Sequence, residues 1–152
     1  MLGRIALSRT LATAAAPAAV WAAYEAAPRW PQVLTDLLSA RIAPDGVLAA
    51  GSTIHVVARP GTRAADMTYR VVAASPPVSL ALESEAMDFR ARTEYAIAAN
   101  GAGSSVTVHC RIEPVRWLHR LTTALARRYY RDQLATMIET RTRAMLTLAE
   151  RI

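Results

Sequence analysis

The sequence contains no lysine, only one cysteine and only three histidines among its 152 residues. The single cysteine, Cys110, excludes an internal disulfide framework and a zinc site built from several cysteines. The three histidines leave few ligands for any other metal, so we expect no metal site and no cofactor. The absence of lysine makes arginine the carrier of the positive charge, and by itself it indicates nothing about function.

Long apolar runs are also missing. No run approaches the roughly 18 residues that a membrane-spanning helix needs, although 53% of the residues are hydrophobic. Near the N-terminus, Arg4 and Arg9 interrupt the apolar residues, which argues against a cleaved signal peptide. We therefore expect a cytoplasmic protein in which residues 1–152 form a single domain with room for a pocket in its core.

The net charge of +6 is concentrated towards the C-terminus. Eight arginines lie between Arg116 and the last residue, against three acidic residues. Arg116, Arg120 and Arg127 are predicted to form a basic face on a helix, and a solvated face is the simplest interpretation. The alternatives are contact with an acidic acyl carrier protein or with an anionic membrane surface. No recognition motif or stacking platform accompanies the charge, which argues against nucleic acid. The oligomeric state stays open.

The first two thirds of the chain are predicted to form strands, with two short helices after the first strand. Residues 4–13 alternate loosely and predict that strand. Ala16-Pro17 opens the first helix, because a proline at the first helical position loses no hydrogen bond, and Trp30-Pro31 begins another short turn of helix. Six segments with a period of two follow, at 38–43, 53–59, 67–75, 78–84, 89–99 and 104–113. Their short, turn-forming connections predict an antiparallel meander.

Residues 114–152 form the one stretch that is long and apolar enough for a major helix. It carries two apolar stripes, the first through Leu118, Leu121, Leu125 and Tyr129, and the second from Tyr130 through Leu134, Met137 and Met145 to Ile152. At about 100° per residue the stripes point roughly 140° apart, so a straight helix cannot bury both against one surface. We predict a break near residues 127–131 and an α+β fold with the long helix on one face of a curved sheet.

Alternation on the last two strands predicts which side chains face the interior. The inward set is Phe89, Thr93, Tyr95 and Ile97 on one strand and Val106, Val108, Cys110 and Ile112 on the next. A buried Tyr95 hydroxyl needs a partner, which can be either the backbone or a ligand. Cys110 is interpreted as a small buried hydrophobe, because no histidine on its face could activate it.

Alternation does not decide the middle strands, where both faces are mixed. If Arg70 faces inward, its guanidinium could bind an enolate or carbonyl oxygen. His55 could act there as a general base. For both residues a position on the surface is the simpler interpretation.

Four short stretches resemble the START/Bet v 1-like (SRPBCC) superfamily, of the polyketide cyclase/dehydrase and lipid-transport type. Residues 16–21 resemble its "I.AP.e.VW" motif, Arg29-Trp30-Pro31 its "RWP" element, residues 71–82 its "V.e.dPP..L.w" hairpin and residues 101–107 its "ggGT.vt" turn. The order β-α-α-β6-α is also that superfamily's helix-grip arrangement. The resemblance implies a curved antiparallel seven-stranded sheet around a long C-terminal helix, with a mostly apolar cavity for lipophilic molecules.

These patterns lead to a functional hypothesis with two alternatives. The hypothesis is a polyketide cyclase or aromatase that acts on a poly-β-ketone without metal or redox cofactor. The alternatives are a non-catalytic lipid or quinone carrier and a partner-binding module that uses the arginine face. The candidate catalytic residues are Arg70, Tyr95 and Tyr130. The candidate ligand-binding residues are Trp30, His55, Tyr69, Phe89, Thr93, Val108, Cys110, Tyr129, Leu134 and Met137. Trp30 and the Tyr129-Tyr130 junction are expected at the cavity entrance.

Overall fold

A seven-stranded antiparallel sheet organises the computed structural model, which describes residues 3–59, 61–86 and 89–152. The strands are β1 (Ile5–Thr13), β2 (Leu37–Ala43), β3 (Thr53–Ala58), β4 (Ala65–Ser75), β5 (Ser79–Ala86), β6 (Phe89–Asn100) and β7 (Gly103–Pro114). Their order across the sheet is β1-β7-β6-β5-β4-β3-β2. Strands β2 to β7 thus pair in chain order, and β1 adds to β7. The predicted meander and the α+β class are confirmed.

Two short helices separate β1 from β2. Helix α1 (Pro17–Glu25) begins with Pro17 in its first turn, as predicted, and a 3-10 helix (Ala27–Gln32) follows it. Trp30 is buried in the second of these helices, and its Nε1 donates a hydrogen bond of 2.9 Å to the carbonyl oxygen of Ala23. Its indole N–H therefore holds the two helices together and is not available to a ligand.

The C-terminal stretch is divided into two helices by a break at Ala126. Helix α2 (Trp117–Leu125) and helix α3 (Arg127–Glu150) meet one residue before the predicted range of 127–131. Helix α3 buries Leu134, Ile138 and Leu148 in the main core. Its backbone lies mainly against α1, β1 and the 3-10 helix. This helix on the sheet completes the predicted helix-grip arrangement.

The first apolar stripe is not buried, contrary to the expectation. Leu118, Leu121 and Leu125 on α2 are 57%, 46% and 82% exposed. The reason is the orientation of α2, which turns Thr123 and His119 towards the sheet. The His119 ring stacks on Phe89 at 5.9 Å, and Thr123 is almost fully buried. The break at Ala126 thus leaves the first stripe in solvent and buries most of the second, in which Met137 and Ile152 are still 47% and 51% exposed.

A β-bulge on β4 decides which residues of the middle strands face inward. The register with β5 shifts between Val71 and Ala73, so that Val71 and Ala74 both lie on the inner face. An inserted residue reverses the alternation, which is why a strict period of two could not settle this strand. Tyr69 shares the inner face with Val71. Arg70 and His55 lie on the outer face.

Candidate functional site

The inner face of the central strands is incompletely covered. Buried side chains dominate the inner face of β1, β3 and β7, whereas Met67, Tyr69, Thr93 and Tyr95 keep part of their surface accessible. Because α3 lies mainly over β1 and α1, it covers these central strands less than it covers β1. We call Tyr69, Thr93, Tyr95 and Cys110, which lie near one another on this part of the inner face, the interior cluster.

Tyr69 and Tyr95 of the interior cluster lie within the fold, although part of each side chain stays accessible to solvent. Burial raises the pKa of Tyr69 and of Tyr95, so both phenols stay protonated at neutral pH. The Tyr24 ring from α1 packs on the Tyr95 ring at a centroid distance of 4.9 Å, and burial also raises the pKa of Tyr24. Protonated phenols donate hydrogen bonds, so the cluster suits a ligand that carries acceptor oxygens.

Thr93 and Cys110 lie opposite each other on β6 and β7. The Thr93 hydroxyl contacts Cys110 Sγ at 3.6 Å, and the Tyr69 hydroxyl contacts Met67 Sδ at 4.0 Å. Sulfur is a weak acceptor, so both hydroxyls could exchange these contacts for a ligand oxygen. Burial raises the pKa of the Cys110 thiol, which agrees with its interpretation as a small buried hydrophobe.

An ion pair between α3 and the segment before β2 lies near the interior cluster. Arg141 Nη2 and Asp36 Oδ2 lie 2.6 Å apart, and both side chains are partly exposed. The positive charge of Arg141 opposes the rise in pKa of Tyr69 and of Tyr95, which places the guanidinium within electrostatic reach of both hydroxyls. Arg141 therefore brings a positive charge towards the interior cluster.

The same ion pair lies in a surface groove of about 320 Å³ between residues 33–36, which follow the 3-10 helix, and α3. The groove is lined by Val33, Leu34, Thr35, Asp36, Met137, Thr140, Arg141 and Ala144. It combines an apolar wall with one cation and one carboxylate. It lies about two turns along α3 from the Tyr129-Tyr130 junction, where the entrance was predicted.

Several predicted site residues lie in or beside the interior. Tyr69, Thr93, Tyr95 and Cys110 are together, as the cluster above. Val108 and Leu134 are buried in the core, and Tyr130 packs against that core. Phe89 lies on the inner face but at the end of β6, stacked on His119.

The other predicted site residues are not brought to the interior. Arg70 is 67% exposed and binds Glu83 on the outer face at 2.6 Å. The simpler interpretation, a surface arginine, is therefore the correct one, and its place among the candidate catalytic residues of the cavity is wrong. His55 lies on the same face, paired with Arg41 and Thr68 across neighbouring strands. Tyr129 is 62% exposed, and Met137 faces the groove rather than the sheet.

Three residues of the site were not among the predicted ones. In the sequence, nothing distinguishes Tyr24 from an ordinary buried aromatic residue of a short helix, and Asp36 carries no signal. Arg141 did give a signal, because a charged residue inside an apolar helix stripe needs a partner or an exit to solvent. Among the described residues, no group of three or more His, Cys, Asp and Glu side chains could hold a metal ion. Within the same residues, none of the helices is both long and apolar enough to span a membrane.

Comparison with known proteins decides the family. Residues 4–140 match the family described as polyketide cyclase / dehydrase and lipid transport. The chain belongs to this family. The predicted START/Bet v 1-like resemblance is thereby confirmed. No curated protein sequence matches the chain.

Solved structures of several proteins share the fold of this family member. Ara h 8.0201 is 12% identical with a TM-score of 0.77, over 98% of this chain and 99% of the other. The di-domain ARO/CYC protein StfQ from the steffimycin biosynthetic pathway is 15% identical with a TM-score of 0.76, over 97% of this chain but 51% of the other. TTHA0849 from Thermus thermophilus is 14% identical with a TM-score of 0.71, over 96% of both chains. Identities this low establish a shared fold and leave the ligand open.

Proposed function

We propose that the protein binds a lipophilic ligand with carbonyl or hydroxyl oxygens, of the aromatic or polyketide type, between the central strands and α3. The observation that carries this proposal is the interior cluster, in which protonated tyrosines on the inner face keep part of their surface accessible. A purely apolar lining would suit a hydrocarbon chain. Phenol donors in an apolar surrounding suit a ring system with acceptor oxygens, because each unpaired polar group in such a site costs affinity.

The groove is the proposed route to the interior cluster. Met137 and Val33 offer it an apolar surface, and the ion pair of Asp36 with Arg141 lines the same groove within electrostatic reach of Tyr69. Movement of the partly exposed Arg141 side chain would widen the route without unfolding α3. The domain that performs this function is proposed to be the whole of residues 1–152.

For a poly-β-ketone ligand, the site would promote an aldol cyclisation followed by dehydration. Tyr69 and Tyr95 would donate hydrogen bonds to carbonyl oxygens, and the Arg141 charge would stabilise the enolate oxygen. The Asp36 carboxylate beside Arg141 would accept the α-proton and return it to the hydroxyl that leaves as water. Bending the chain so that the enolate carbon meets its carbonyl supplies most of the rate in such a site. Arg141 takes the role first expected of Arg70.

A non-catalytic carrier is the second candidate function, and one observation favours it. Burial holds Tyr24, Tyr69, Tyr95 and Cys110 in their protonated forms, so none of these groups is ready to remove a proton. A carrier would release its ligand unchanged. A cyclase would return a product lighter by one water for each ring that it closes and dehydrates, which mass spectrometry distinguishes.

The binding proposal is tested with a hydroxyanthraquinone as the probe, titrated against tryptophan fluorescence. Losing one hydrogen bond costs about 1 kcal/mol, so Tyr95→Phe should weaken binding about fivefold. The matched control is Tyr129→Phe, which removes an exposed hydroxyl and should bind like the wild type. Equal affinities for wild type and Tyr95→Phe would place the ligand elsewhere.

A further inference from the structure

Helix α2 presents its apolar side to solvent and its polar side to the protein. Leu118, Leu121 and Leu125 form one exposed row, spaced three and four residues apart. The opposite side of the helix carries the buried Thr123 and the stacked His119. An amphipathic surface helix normally has the reverse orientation, so this side of α2 lacks a cover among the described residues.

The attachment of α2 shows that its orientation is fixed by the protein. Arg120 Nε donates a hydrogen bond of 3.2 Å to the carbonyl oxygen of Pro114. Gly3 approaches the helix so closely that a Cβ there would lie 2.7 Å from the Arg120 carbonyl oxygen. A helix held by such close backbone contact does not rotate freely to bury its leucines.

Further apolar surface extends the leucine row in both directions. Val115 precedes α2 with 38% exposure, and Tyr129 on the first turn of α3 adds an aromatic ring. We call Val115, Leu118, Leu121, Leu125 and Tyr129 the leucine face. Exposed apolar patches of this kind mark contact with a membrane or with another protein.

Charge beside the leucine face indicates what covers it. Residues 116–131 contain five arginines and no aspartate or glutamate. Arg127, Arg128 and Arg131 are exposed, and none of the three forms an ion pair with a described residue. An anionic lipid surface supplies both an apolar layer and negative charge spread along it, and it requires no complementary pocket.

We propose that the leucine face docks α2 on the surface of an anionic membrane, with the leucines in the acyl boundary and the arginines at the phosphates. Tyrosine suits this depth, because its ring is apolar and its hydroxyl stays in water. The docking leaves the protein on one side of the bilayer. It does not depend on the ligand of the interior cluster, although lipophilic molecules partition into the layer that α2 would contact.

The test compares binding to two kinds of sonicated vesicle by sedimentation. One is pure phosphatidylcholine, and the other contains roughly one quarter phosphatidylglycerol to supply negative charge. The wild type should bind the anionic vesicles at least about tenfold more tightly, and added salt should weaken this binding. Binding that does not differ between the two vesicles, or no binding to either, would overturn the proposal.

Matched variants separate the leucine face from charge in general. Leu121→Gln with Leu125→Gln keeps the helix propensity and should weaken binding to anionic vesicles roughly tenfold or more. Leu38→Gln changes a leucine on β2 that is about as exposed as Leu121, and it should leave binding unchanged. Arg127→Gln with Arg128→Gln should weaken binding, and Arg143→Gln on the far part of α3 should have less effect. A double leucine variant that binds like the wild type would contradict the proposal.

A site-specific label gives a direct readout of insertion. The natural thiol, Cys110, is buried, so a bulky environment-sensitive fluorophore attaches mainly to the exposed thiol of Leu125→Cys and reports on position 125. Its emission should shift to the blue on anionic vesicles, whereas the same label on Leu38→Cys should not shift. If sedimentation equilibrium instead shows a dimer that the double leucine variant abolishes, a second copy covers the face and the membrane proposal fails.

Discussion

Helices α2 and α3 follow each other with only Ala126 between them, yet α3 buries most of its apolar side and α2 exposes it. Helix α3 buries Leu134, Ile138 and Leu148 in the core. Helix α2 points its leucines outward and Thr123 inward. Under the membrane-docking proposal, an apolar stripe identifies a side that becomes covered, and the cover need not come from the same chain.

The largest expected effect is a contrast between two leucine truncations. Leu148→Ala on α3 removes a fully buried side chain and should lower the free energy of unfolding by about 2–5 kcal/mol. Leu125→Ala on α2 should change it by less than about 0.5 kcal/mol. Urea denaturation followed by circular dichroism measures both values. Comparable losses would mean that α2 is packed against the protein in solution.

A second substitution examines the polar side that α2 turns inward. The Thr123 hydroxyl is buried, and it has no hydrogen-bond partner among the described residues. Thr123→Val removes that unsatisfied group at nearly constant volume, so it should raise the free energy of unfolding by about 1 kcal/mol. Thr122→Val is the control, because the exposed Thr122 hydroxyl bonds to the Leu118 carbonyl oxygen. Destabilisation by Thr123→Val would show that the hydroxyl has a partner.

The smallest expected effect concerns the ion pair that ties α3 to the segment before β2. Asp36 and Arg141 are partly exposed, so solvent screens their attraction. A double-mutant cycle with Asp36→Asn and Arg141→Gln should give a coupling of about 1 kcal/mol or less. A coupling well above that value would identify the pair as a major stabilising contact of α3. It would also argue against movement of the Arg141 side chain during ligand entry.

The fold could be predicted because each strand and its turns carry local signals. Period-two segments, Ala16-Pro17 and the short connections located every strand and α1 from neighbouring residues alone. The break at Ala126 was predicted within one residue from two stripes that one surface cannot bury. Neither proline nor glycine lies there, so tertiary packing rather than local propensity sets its position.

The site could be predicted only where alternation is unbroken. Parity on β6 and β7 correctly placed Thr93, Tyr95 and Cys110 on the inner face. On β4 the bulge near Val72 reverses parity, and no local signal reveals it, so Tyr69 and Arg70 could not be separated. The pairing of Asp36 with Arg141 spans 105 positions, and a contact at that distance leaves no pattern in one sequence.

The central claim is that the ligand lies against the interior cluster, and the thiol of Cys110 reports on it most directly. Cys110 lies beside Thr93 and within electrostatic reach of Tyr95. Burial makes its reaction with the small reagent methyl methanethiosulfonate slow, and this slow rate is followed by mass spectrometry with and without saturating hydroxyanthraquinone. The predicted result is slower modification of Cys110 with the ligand, while an added thiol in Leu38→Cys reacts at an unchanged rate. An unchanged Cys110 rate at saturation would contradict the claim.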